Sequence, residues 1–119
     1  MKHAFLILSL LSFTALGQAD FEKNLQKRLI LAEDGATIEI EAGRFQLTKS
    51  LSLEGKKNIT LRGKGIDQTI LSFKGQTQGA EGIKVSNCEN IVIENMTTED
   101  SKGDLIKTMN VKGITFRKI

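Results

Sequence analysis

Apolar residues in this chain come in pairs two apart, and the pairs recur eight apart. Leu51 and Leu53 lead to Ile59 and Leu61, Ile83 and Val85 to Ile91 and Ile93, and Ile106 to Ile114 and Phe116. A period of two is the mark of a strand with one buried face. The copies advance by 32 residues (Leu51 to Ile83) and then by 23 (Ile83 to Ile106), so the unit is about 21 to 23 residues with one insertion. Strands this short are unstable as isolated hairpins but hold when stacked in register, so the pattern predicts a solenoid of about three and a half coils. Thr37-Ile38-Glu39-Ile40, Phe45-Gln46-Leu47 and Leu71/Phe73 alternate in the same way.

One segment departs from period two. Phe21, Leu25, Leu29 and Ala32 recur at steps of four, four and three, with Glu22, Lys23, Asn24, Lys27 and Arg28 on the other faces. That spacing predicts an amphipathic helix, stopped by Asp34-Gly35, that covers the N-terminal end of the solenoid. Between the strands lie glycines and Asn58, Asn87, Asn90, Asn95 and Asn110, residues that tolerate the left-handed backbone of sharp corners. Asn87 and Asn110 occupy the same place in their copies, so their amides are expected to stack and bond. The excess of the long repeat is assigned to Gln76 through Glu81, expected to protrude as a loop.

The chain begins with Met1-Lys2-His3, an apolar run from Ala4 to Leu16, and Gly17-Gln18-Ala19. This order is that of a secretory signal cleaved after Ala19; the run is shorter than the ~20 residues of a membrane span, so no stable insertion is expected once it is removed. The layout is therefore 1–19 signal peptide, 20–36 capping helix with its following turn, and 37–119 parallel β-helix coils, in a secreted or periplasmic protein. What remains carries a charge of about +2, with both signs interspersed, which is not the basic stripe of a nucleic-acid binder.

Loss of the signal also removes His3, the only histidine, and the rest has no Trp, Tyr or Pro and a single Cys. Without imidazole, no Ser-His-Asp or Cys-His arrangement can be assembled here, and no intrachain disulfide can form. Cys88, between two strands, reads as a small buried turn residue.

Leu31 through Phe45, with Asp34-Gly35-Ala36-Thr37-Ile38-Glu39-Ile40 leading to Gly43-Arg44-Phe45, resembles the first coil of right-handed parallel β-helix proteins of the pectin-lyase-like superfamily. Leu61-Arg62-Gly63-Lys64-Gly65-Ile66-Asp67-Gln68-Thr69-Ile70-Leu71 is similar to their second coil. Glu99-Asp100-Ser101-Lys102-Gly103-Asp104-Leu105-Ile106 resembles a turn of a bacterial subgroup known as parallel β-helix repeat proteins. Ala36 departs from the pattern, which has an acidic residue there. The resemblance implies an all-β, right-handed parallel β-helix with a capping helix, an envelope or extracellular setting, and polysaccharide as the partner. It hands over no catalytic residues.

Two groups remain as candidate chemistry. Glu99, Asp100 and Asp104 share one turn, and Glu81 aligns with Asp104 one coil below, so these four carboxylates are the candidate calcium ligands. Arg62 and Arg117 each follow an inward residue and so face out, where an arginine could meet an acidic sugar or act as a base in β-elimination; the plainer reading is surface arginine. Gly63-Lys64-Gly65 lacks the glycine count and following helix of a phosphate loop. Asn58-Ile59-Thr60 and Asn95-Met96-Thr97 fit a glycosylation pattern but sit at turns. Phe21, Phe45, Phe73 and Phe116 all take inward positions, leaving no outer stacking platform for sugars.

The function expected is the N-terminal part of a secreted polysaccharide-active lyase, epimerase or hydrolase with its active site beyond residue 119; the alternative is a non-catalytic binding or adhesion scaffold. A periplasmic maturation factor has no His or Met cluster to support it. The last strand has no polar cap after it, so the reading also expects a longer reading frame and self-association of residues 20–119 through the uncapped coil.

Overall fold

The computed structural model describes Gly17 and residues 19–119, and the segment read as a signal lies almost wholly outside them. Helix α1 covers 19–31. Eight strands follow: β1 (Thr37–Glu39), β2 (Gly43–Gln46), β3 (Lys49–Glu54), β4 (Lys57–Arg62), β5 (Thr69–Ser72), β6 (Gln78–Glu94), β7 (Thr97–Glu99) and β8 (Ile106–Arg117). Every pairing among them is parallel, and the chain climbs as a β-solenoid of about three turns. It is the predicted all-β parallel β-helix with one N-terminal helix.

Strands β6 and β8 are long because each runs through a corner. The first half of β6 stacks on β3 and the second half on β4, while β8 follows β6 through both. The apolar register is the one the repeat predicts: Leu51 under Ile83 under Ile106, and Ile59 under Ile91 under Ile114. Ile59, Leu61, Ile83, Val85, Ile91 and Ile93 are buried, each worth ~1.5–3 kcal/mol relative to exposure. Ile114 is half-buried and Phe116 is 45% exposed, although each stands in register above a buried isoleucine. Periodicity set the facing of Phe116 correctly, but burial needs a further coil above it, and the described residues contain none.

All five corner asparagines adopt positive φ, between 54° and 60°. Asn110 Nδ2 donates to Asn87 Oδ1 at 2.8 Å, as expected. A second ladder runs beside it, from Asn90 Nδ2 to Asn58 Oδ1 (2.8 Å) and from Asn58 Nδ2 to Asp34 Oδ1 (2.7 Å).

The insertion differs from expectation. Its excess is shared between the 63–68 corner and the start of β6, where the register with β3 slips between Lys49 and Leu51. Gln76 through Glu81 is not a free loop. Gln76 is buried, and its Nε2 donates to Ser50 Oγ, Gln78 O and Glu81 O; Thr77 and Gln78 N–H groups donate to Thr48 O. A short polar run without alternation looks like a loop, yet one buried amide gathers its carbonyls and ties it to the wall.

At the N-terminal end α1 lays Phe21, Leu25 and Leu29 against the core. The Phe21 and Phe45 rings stack 3.6 Å apart. Helix side chains also satisfy the backbone of the first coil. Gln26 Nε2 donates to Ser52 O at 3.0 Å while Gln26 Oε1 accepts from Ser52 N–H at 2.9 Å, so one amide replaces a missing strand. The Glu22 carboxylate accepts from the N–H groups of Thr48 and Lys49 and from the Thr48 hydroxyl. Lys56 Nζ donates to Ile30 O and Ala32 O, closing the helix C-terminus.

Candidate functional site: outward charge columns

In a parallel coil, outward residues at one register position stand one above another about 4.8 Å apart. Glu39, Arg62, Glu94 and Arg117 form such a column, alternating in sign from coil to coil. Arg62 Nε donates to Glu94 Oε2 at 2.6 Å, and Arg62 Nη1 lies 3.3 Å from Glu39 Oε1. Lys64 Nζ stands 3.5 Å from the other Glu39 oxygen, and Arg117 Nη1 reaches Glu94 Oε1 at 3.8 Å. Glu94 is buried between its two arginines. Its hydrogen bond, followed by its charge and that of Glu39, holds the Arg62 pKa above the ordinary value against the opposing effect of desolvation.

Lys57, Glu89 and Lys112 make a second alternating column, with Lys57 Nζ 4.0 Å from Glu89 Oε2. Arg62 and Arg117 are the outward arginines that the alternation of the strands predicts, but they are not solitary. The partners are there: the advances that align the isoleucines also align Glu39, Glu94 and Glu89.

The face built by β3 and the first halves of β6 and β8 is different. Lys84 and Lys107 stack in register above Ser52, and among the described residues no carboxylate forms a salt bridge with either. Two like charges are left side by side.

The acidic candidates separate. Glu99 Oε2 is held by Arg44 Nη2 at 2.7 Å. Asp100 is exposed at φ 63°. Glu81 and Asp104 flank the pair Ile83 and Ile106 on adjacent coils, and their backbone carbonyls are engaged, Asp104 O by Gly82 N–H and Glu81 O by Ser50 Oγ. Among the described residues no three His, Cys, Asp or Glu side chains gather closely enough to hold a metal ion. Cys88 is buried, with Sγ accepting from Lys56 N–H and facing the carbonyls of Leu53 and Ser86. Asn58 uses its amide in the ladder on both sides. Phe21, Phe45 and Phe73 pack inward as expected.

Comparison with protein families, curated proteins and solved structures finds no match to this chain. The parallel β-helix is therefore established by the pairing of its strands alone.

Proposed function

We propose that this chain is a β-helix scaffold of a secreted or periplasmic protein, related to the pectin-lyase-like superfamily, whose described coils bind acidic polysaccharide without cleaving it. The observation that carries the reading is the unbridged stack of Lys84 and Lys107. Every other basic column on the walls described above is interleaved with carboxylates, so these two lysines are where an added anion removes a repulsion instead of competing with an existing pair. Rows of carboxylates along an extended sugar chain match such a stack.

Affinity electrophoresis in a gel carrying polygalacturonate or alginate tests this. Retardation of the wild type, lost in Lys84→Glu/Lys107→Glu and absent with a neutral glucan, is the expected result. Equal mobility in all gels sinks it. The reading as part of a polysaccharide lyase, epimerase or hydrolase uses the same wall for substrate, with its chemistry supplied by residues outside those described. Release of unsaturated uronate from the same polymers would favour that reading over the scaffold. Calcium at the acidic candidates Glu81, Glu99, Asp100 and Asp104 is a separate proposal, and it would have to compete with Arg44 for Glu99. A melting-temperature rise in millimolar Ca²⁺ that Asp104→Asn abolishes is the measurement that decides it.

A further inference from the structure

We propose that the outer face of α1 is a self-complementary docking surface, on which a second copy of this chain packs about a two-fold axis at Ile30. The helix turns Phe21, Leu25 and Leu29 into the core, so Lys23, Lys27, Ile30 and Leu31 lie on its opposite side. Ile30 is 62% and Leu31 64% exposed, more than any other large apolar residue among those described. The core does not use either of them, because α1 already lays three apolar residues against it. Their face points away from the coils, so stacking along the solenoid leaves it open.

The charges around this apolar pair are placed with opposite signs on its two sides. Lys27 comes three residues before Ile30, and Glu33 three residues after it. Both are exposed, and among the described residues neither has a salt-bridge partner. Glu33 is held in place although it lies past the helix: Ala36 N–H donates to its carbonyl at 3.0 Å, and Lys56 Nζ holds the carbonyl of Ala32 at 2.9 Å. A two-fold axis through Ile30 lays Ile30 on its own copy and Lys27 of each chain opposite Glu33 of the other. That is an isologous contact, with an apolar centre and an ion pair on either side.

The same charges choose the occupant. Asp20 and Glu33 offset Lys23 and Lys27, so the face has no net charge and offers an anionic lipid surface or an acidic polymer no long-range attraction. A face that is neutral as a whole but opposite in sign at its two ends fits its own inverse, which an antiparallel second copy supplies. Parallel copies would set Lys27 on Lys27 and repel. The patch is small against the ~800 Å² per partner of a standard interface, so the dimer is weak. It lies apart from the Lys84 and Lys107 wall and is independent of polysaccharide binding.

Sedimentation equilibrium of the protein between about 0.02 and 1 mM tests this. The wild type is expected to move from monomer toward dimer over that range, and Ile30→Gln to weaken association about tenfold. Lys27→Glu and Glu33→Lys should each weaken it by about the same factor. An equimolar mixture of those two variants should regain the wild-type association, because both pairings across a mixed dimer are again opposite in sign. The mixture is its own control for folding, since two variants that had merely unfolded could not restore one another. A monomer at every concentration, association that none of the variants changes, or a mixture that associates no better than its components would each overturn the proposal.

Discussion

The first and last of the described coils are built from the same repeat and are covered to different extents. At the first coil, Gln26 offers Ser52 both an acceptor and a donor, Glu22 takes two backbone N–H groups, and Leu25 and Leu29 roof the core. At the last coil, the residues in the same inward columns stand partly in solvent, Phe116 at 45% exposure. The difference teaches that inward position and burial are separate properties in a solenoid. A coil sets the first, and only its neighbour, or a foreign element that imitates a neighbour, supplies the second.

The contrast is broken most severely by the same substitution placed at two heights. Ile91→Asp puts a carboxylate in the closed interior and is expected to cost roughly 4 kcal/mol or more, enough to prevent folding, whereas Phe116→Asp should cost about 1 kcal/mol or less. Circular dichroism melts of the pair check this, and similar melts would deny that the last coil is open. Next in size is the cap. Gln26→Ala leaves the Ser52 N–H and C=O without their partner and should lose about 1–3 kcal/mol, with faster exchange of the Ser52 amide. Unchanged exchange there would mean that water replaces the amide at no cost.

A smaller effect separates the charge columns by height. Arg62→Met strips Glu94 of its closest partner, while Arg117→Met removes a contact at 3.8 Å, so the first should lower the melting temperature more than the second. Raising the salt concentration should narrow the gap. Equal melting temperatures would mean that Glu94 is held by something other than its column. The smallest change expected is at the insertion: limited proteolysis should leave 76–81 intact in the wild type and cut it only after Gln76→Ala frees the carbonyls of Gln78 and Glu81.

The parts of this fold that were legible in the sequence are those governed by strict spacing. The isoleucine register, the helix face and the Asn87–Asn110 bond all depend on one residue type returning at one offset. The charge columns obey the same offsets but change sign at each return, so a search for likeness passes over Glu39, Arg62, Glu94 and Arg117. Gln26 and Gln76 were illegible for a different reason. A lone amide carries no periodicity, and its value depends on which backbone groups the finished coils leave unpaired. The wall lysines Lys84 and Lys107 became distinctive only once every other column had been seen to be bridged.

Alternation of sign from coil to coil also gives the stack a parity. A folding intermediate in which β8 skipped β6 and settled on β4 would set Arg117 on Arg62 and Lys112 on Lys57, placing like charges together at both corners of the wall. The apolar residues could not detect that error, because isoleucine packs on isoleucine at any height. Loss or gain of a single coil by recombination meets the same obstacle. Coils of this chain are therefore exchangeable by twos, and the unit that can be duplicated without disturbing the wall is a pair.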